Sequence, residues 1–249
     1  IGTIPGHIIT PGTPTTPPVA SDPMNARIFR IRKDWQSLAV GQAAVIEDAA
    51  ELFDVPVAQV TPQMQQEVID RYAYDWNNWP VNLGAPYKDI NGNGSWDPGV
   101  DEPGLANADQ VIWFVMNDTH DGACLNLYGA YSIGLEIQVT WWGFSSSTTS
   151  FNHAGFRRYR IINKSGFQLD SMFVSLWSDP DIGNAGNDYA GCDPQLQLGY
   201  GYNATADYPV FTAFNLVPPA FGYSLLQGPV VPSPGDTAIF NFEPLPNFR

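Results

Sequence analysis

Between Asp89 and Gly104 the chain reads Asp-Ile-Asn-Gly-Asn-Gly-Ser-Trp-Asp-Pro-Gly-Val-Asp-Glu-Pro-Gly. Side-chain oxygens fall at Asp89, Asn91 and Asn93, with further acids at Asp97, Asp101 and Glu102. Oxygens at every second residue, separated by glycines, let a short loop curl around one hard cation. Gly92 and Gly94 can take the positive φ such a curl needs, where a side chain clashes with its own backbone. Ca²⁺ takes about six to eight oxygens, and the D-x-N-x-N-G spacing offers three side-chain ligands plus a backbone carbonyl, here that of Ser95. The twelfth loop position is Val100 rather than the bidentate glutamate of an EF-hand, and no amphipathic helix follows. The spacing therefore predicts a calcium staple of Asp89, Asn91, Asn93, Ser95, Asp97, Asp101 and Glu102, without an EF-hand around it. The opposing reading is an Asn-Gly turn between strands that binds nothing.

The remainder of the chain predicts a β-rich scaffold for this loop. Twenty-three glycines and 22 prolines in 249 residues suit many short strands joined by turns. Residues 26–32 alternate apolar with basic side chains, and 135–141 alternate cleanly. The apolar run 110–116 fits a central strand buried on both faces. Segments 156–163 and 169–177 flank Lys164-Ser-Gly166 and predict a hairpin. One region is helical, 43–78: Thr61-Pro62 is an N-cap followed by proline at the first helical position. Met64, Val68 and Tyr72 then recur at helical spacing, a stripe expected to pack on a sheet. The fold class predicted is mainly β, an antiparallel β-sandwich of jelly-roll or immunoglobulin type with a helical insertion at about 43–78. Residues 1–23, with Pro-Gly-Thr-Pro-Thr-Thr-Pro-Pro at 11–18, read as an extended arm or linker before a single domain over 24–249.

Eleven basic residues against 25 acidic ones leave a formal charge of −14, which repels phosphate backbones and argues against nucleic acid as a partner. No apolar run approaches the length that crosses a bilayer, so no membrane span is expected. The chain opens on Ile1 with no signal-peptide pattern and reads as a mature or excised segment. Cys124 and Cys192 form either one disulfide or two separate thiols.

A second acidic cluster holds Asp179, Asp181, Asn184, Asn187, Asp188 and Asp193 within fifteen residues. Crowded carboxylates repel, and a cation relieves them, so a second metal site stands here against a plain turn. The spacing fits no standard calcium template. Catalytic signatures are missing: no nucleophile elbow, no H-E-x-x-H and no phosphate loop occurs. The histidines are His7, His120 and His153, and His120 lies in Asn-Asp-Thr-His-Asp. Glu136 reads as an exposed strand glutamate; the rival role is one half of a carboxylate pair for glycoside hydrolysis. Trp76 and Trp79 are either core plugs or a sugar-stacking pair.

An ordered set of motifs carries a family resemblance. It comprises Trp79-Pro-Val-Asn-Leu-Gly-Ala-Pro86, the calcium loop, Asp109-Gln-Val-Ile-Trp-Phe-Val-Met-Asn-Asp118, Ile133-Gly-Leu-Glu-Ile-Gln-Val139 and Tyr159-Arg-Ile-Ile-Asn-Lys-Ser-Gly166. Leu169-Asp-Ser-Met-Phe-Val-Ser-Leu-Trp-Ser-Asp-Pro-Asp181, Gly191-Cys-Asp193, Leu198-Gly-Tyr-Gly-Tyr-Asn-Ala204 and Pro218-Pro-Ala-Phe-Gly222 complete it. Over roughly residues 25–230 the chain resembles the N-terminal region of large secreted Bacteroidetes and Ignavibacteria proteins that end in a type IX secretion sorting domain. The resemblance implies export to the cell surface or medium, a β-rich fold and acidic loops suited to calcium. It supplies no activity, and it places aspartates where this chain has Asn184 and Asn187. Asp170-Ser171-Met172 and Asp236-Thr237-Ala238 resemble the short O-glycosylation sequons of such exported proteins, which makes Ser171 and Thr237 acceptor candidates.

The function expected from these observations is an extracellular structural or adhesive module, stapled by Ca²⁺, that forms a homo-oligomer or filament, or meets other surface proteins, through its N-terminal arm. The alternative is a carbohydrate-binding module, or the ancillary domain of a secreted glycan-degrading enzyme, with glycans as partners.

Overall fold

A computed structural model describes residues 4–5, 9–20, 27–145, 154–170, 172–175, 177–179, 181–183, 185–224, 239–240 and 243–244. The chain divides into two compact units, Ile1–Asp170 and Ser171–Arg249. In chain order the first unit carries β1 (Ile4–Pro5), β2 (Ile9–Thr10), β3 (Val19–Ala20), β4 (Phe29–Arg32), α1 (Ala43–Phe53) and α2 (Pro62–Asn77). Then follow β5 (Tyr87–Lys88), β6 (Glu102–Pro103), β7 (Gln110–Asn117), α3 (Asp121–Tyr128), β8 (Leu135–Gly143) and β9 (Gly155–Asn163). The second unit holds β10 (Asp188–Asp193), β11 (Leu198–Asn203), α4 (Pro209–Thr212) and β12 (Ala220–Ser224), with β10, β11 and β12 in one antiparallel sheet.

The main sheet is antiparallel and built around β7. On one side β7 pairs β8, from Gln110 opposite Gly143 to Asn117 opposite Glu136, and β8 in turn pairs β9. The other edge of β7 is shared: β4 lies against its first half and β1 against Met116 and Asn117. Directly opposed residues share a face. One face therefore carries Phe29 and Ile31, then Val111, Trp113 and Val115, then Trp142. These pack with Trp79, Ala85 and Ala108 into the largest core of the unit. Burial of a side chain such as Val111 or Val115 contributes about 2 kcal/mol. The layer over this face is the segment 79–108, which carries the loop, where the sequence predicted a second sheet. The opposite face, with Ile112, Phe114 and Met116, is half-buried.

The helical region forms as expected. Pro62 opens α2, and the Thr61 hydroxyl accepts the Met64 N–H at 3.3 Å. The stripe meets both α1 and the sheet. Val68 and Tyr72 are buried with Ala49, flanked by Trp35, Leu38 and Phe53. Arg30 and Arg32 of β4 lie over the Tyr72 ring, and Gln110 of β7 donates to its hydroxyl at 3.2 Å. What α2 offers the sheet is polar. Asp75, 4% exposed, accepts the outward N–H of Arg30 on edge strand β4 at 2.9 Å and is paired with the Arg27 guanidinium. A carboxylate thus caps backbone that would otherwise stand open beside β7. Asp48 of α1 joins Arg30, Arg32 and the Tyr72 hydroxyl, at 3.3, 3.0 and 2.8 Å.

Residues 9–20 are not a free linker. β2 pairs β3 as a small hairpin, Ile9 is fully buried, and Gly12 N–H donates to Lys164 O at 2.7 Å. The hairpin seats on two glycines with positive φ, Gly134 and Gly166. A Cβ there would meet Pro18 or the backbone of Thr13 at 2.9 Å or less. The predicted 156–177 hairpin forms only its first arm: β9 appears, but the described part of 169–177 is not strand. Asn163 explains the exit, because its side chain takes Ser165 N–H and hydroxyl and donates to Phe167 O, closing a local turn. The short helix α4 starts on Pro209, a residue suited to the first turn. Among the described residues no helix is long and apolar enough to cross a membrane.

Candidate metal loop and buried polar sites

The loop is closed at its base by β5 and β6, with Tyr87 opposite Pro103 and Lys88 opposite Glu102. Asp101, 5% exposed, sits just above and accepts Ile90 N–H at 2.9 Å and Asp97 N–H at 2.7 Å. At the tip both oxygens of Asp89 are used, on Gly92 N–H and Gly94 N–H, each at 2.7 Å. Those glycines have φ of +71° and +76° in open space, so conformation, not room, demands them. Asn91 and Asn93 both point their amide nitrogens at Oδ2 of Asp97, at 2.7 and 2.6 Å. Asn91, Asn93 and Asp97 are thereby gathered, while Asp89 holds the backbone of the same loop tip.

The other three predicted ligands have different work. Glu102 is ion-paired with Lys88 at 3.1 Å, Asp101 holds loop backbone, and Ser95 enters through its N–H to Asn93 Oδ1 at 2.7 Å. Partial burial, then the carboxylates of Asp89, Asp101 and Asp97, push the Tyr87 hydroxyl up, which marks the negative potential of the loop. The Trp96 ring meets Tyr87 edge-on at 5.3 Å. Among the described residues no three His, Cys, Asp or Glu side chains are grouped to hold a metal. The donors that complete this loop are amides, and an asparagine turned about its last torsion presents oxygen where it now presents nitrogen.

The second acidic cluster is dispersed. Asp188 and Asp193 stand at opposite ends of β10, about 17 Å apart at strand rise, too far to share an ion. Asp188 accepts Ile182 N–H and, with Asn187, the amide of Asn203; Asp193 caps Gln195 and Leu196 N–H. Asp179 and Asp181 are exposed. The glycines let carboxylates turn back on their own loops, so backbone amides supply the relief expected of a cation. Asn184, Ser171 and Thr237 lie outside the described residues, as do His7 and His153.

Cys124 is fully buried and Cys192 is exposed. Cys124 lies inside the first unit and Cys192 on an exposed strand of the second. Burial pushes the Cys124 thiol up, and the carboxylates of Asp118 and Asp121 add to it. Trp79 is a core plug, donating Nε1–H to Pro86 O at 2.7 Å, so the Trp76–Trp79 sugar pair does not form.

Sequence reasoning missed two buried carboxylates. Asp118, with no exposure, collects the N–H groups of Ile133, Gly134 and Leu135 at 2.7–3.1 Å and ties the end of β7 to the start of β8. Glu136 is fully buried rather than exposed, held by Ile9 N–H at 2.8 Å, Gln138 at 2.9 Å and Lys164 at 3.6 Å. Its alternation was legible, but the hairpin that covers it was read as a loose arm.

A scan against models of known protein families finds no match, and neither a search of curated proteins nor one of solved structures returns one.

Proposed function

We propose that this chain is a calcium-stapled, β-rich structural module of an exported protein. The convergence of Asn91, Asn93 and Asp97 at one loop tip, above the Asp101 base, carries the reading. Ca²⁺ there would be held by Asp89, Asn91, Asn93 and Asp97 with the Ser95 carbonyl and water, and would replace amide contacts that hold the tip closed. A sandwich, in which the half-buried face of Ile112, Phe114 and Met116 takes a second layer, is the architecture we infer for the whole assembly.

The arm is engaged within its own unit, so assembly is better supported at β9. Among the described residues its outer edge has no partner strand, and Arg157, Arg158 and Arg160 have no carboxylate in reach. Arg157 stacks over the exposed Trp141 at 5.1 Å. Arginine beside exposed tryptophan is the composition of an interface centre. In a chain of charge −14, a second copy offers the acidic surface this edge lacks.

Terbium luminescence tests the staple, because Trp96 lies inside the loop and can sensitise a bound lanthanide. Sensitised emission that calcium displaces, and that Asp97→Ala removes, supports the reading. Emission unchanged in Asp97→Ala rejects it.

A further inference from the structure

The chain has only three lysines, Lys33, Lys88 and Lys164, against 25 acids. Lys164 is taken up by Glu136. The other two line one cleft of about 160 Å³ between the stem of the metal loop and the β4–β7 pair. Lys33 directly follows β4, Lys88 ends β5, and Trp76 from the last turn of α2 forms a wall. A surface of this chain should be acidic, yet this concavity is lined by two of its three lysines, beside Glu102 and Asp109. Such a recess focuses their field.

The two lysines differ. Lys88 is answered by Glu102 at 3.1 Å. Lys33 has no carboxylate within ion-pair reach among the described residues, while its backbone is anchored by N–H donation to Asp109 O at 2.9 Å. Its charge is positioned at the cleft without a partner. Trp76 is backed by Trp35, ring centroids 6.1 Å apart, which leaves it braced as a wall. Asn107, in the left-handed conformation at φ +66°, brings an amide to the same cleft. Asparagine tolerates that conformation better than most residues.

We propose that this cleft binds a single carboxylate-bearing sugar ring, with the ring against Trp76, its carboxylate toward Lys33, and its hydroxyls on Asn107 and Asp109. Size sets the ring count, since a cavity of about 150 Å³ accommodates one six-membered ring and an oligosaccharide groove is larger. Charge sets the class. A neutral hexose leaves Lys33 unanswered, whereas a doubly charged anion meets repulsion from Glu102 and Asp109. A uronic acid carries one delocalised charge, and its hydroxyls donate to those same carboxylates. The site does not depend on the calcium reading, because Lys33, Trp76 and Asn107 lie outside the loop.

Calorimetric titration of the full chain with sodium glucuronate, with calcium and again with a chelator, tests this. Saturable binding is expected in both, weakened about tenfold by Lys33→Met and by exchange of the probe for methyl glucoside. Lys33 is exposed, so its variant should melt as the parent does. Asn107→Gly provides a second variant, which keeps the left-handed backbone and is expected to weaken binding with the fold intact. No saturable binding, equal binding of methyl glucoside, equal competition by sulfate, or parental affinity in Lys33→Met would each overturn the assignment.

Discussion

The ammonium of Lys164 stands 3.6 Å from a carboxylate oxygen of Glu136, a residue with no solvent exposure. The pair sits where three pieces of chain meet: the start of β8, the residue after β9, and the N-terminal hairpin, whose Ile9 N–H also reaches Glu136 at 2.8 Å. Gln138 adds a third contact at 2.9 Å, and its own Oε1 is buried without a hydrogen-bond partner among the described residues. One buried charge thus ties the arm to the sheet.

Removing one partner of a buried pair leaves the other charge uncompensated. Lys164→Met should therefore cost about 3 kcal/mol, while adding Glu136→Gln to it should recover most of the loss. Urea denaturation of the parent and the two variants measures this. Equal stability of the single and double variants would show that Glu136 does not depend on Lys164.

Asp118 holds three backbone N–H groups in the interior, so Asp118→Ala strands all of them. A loss of about 3 kcal/mol is expected, with Asp118→Asn falling between because it keeps one acceptor oxygen. The midpoint of chemical unfolding reads this directly.

Asp75 gives a pH signature. Burial raises its pKa above the ordinary carboxylate value, against the opposing hydrogen bonds from Arg27 and from the Arg30 backbone. The folded state then holds the Asp75 proton to higher pH than the unfolded state does. Its contribution is fully present below the unfolded pKa and is lost as pH rises through the folded one. Asp75→Asn should accordingly gain on the parent in melting temperature as pH rises from acid toward neutrality. A variant-minus-parent difference in melting temperature that stays flat or falls over that range contradicts this.

Much of this architecture was legible from local pattern. Thr61-Pro62 marks the start of α2, the run after Asp109 becomes β7, and the alternation from Leu135 becomes β8. The failures share one cause, since side chains and segments were assigned by local character and their contacts come from far along the chain. The proline-rich arm reads as linker, yet Ile9 lies 127 residues from the Glu136 it contacts. Asp101 and Glu102 read as calcium ligands by proximity, but a two-residue ladder commits one to backbone and the other to Lys88. The second acidic cluster reads as a metal site until β10 carries its ends apart.

The arm itself can be tested by removal. Deleting residues 1–20 strips Ile9 from the interior and one donor from Glu136, so the melting temperature should fall while particle mass by light scattering keeps its value per chain. Gly166→Ala, which forces a Cβ against Thr13, should expose the arm to proteolysis without deletion. Unchanged stability after truncation would mean that the arm is not part of the fold.

Melting the full chain with saturating calcium and with a chelator tests the staple most directly. An ion that binds only the folded loop adds about 2.7 kcal/mol at a hundredfold excess over Kd. The account expects a higher melting temperature with calcium, and no calcium response in Asp89→Ala. Superimposable melting curves with and without chelator would contradict it.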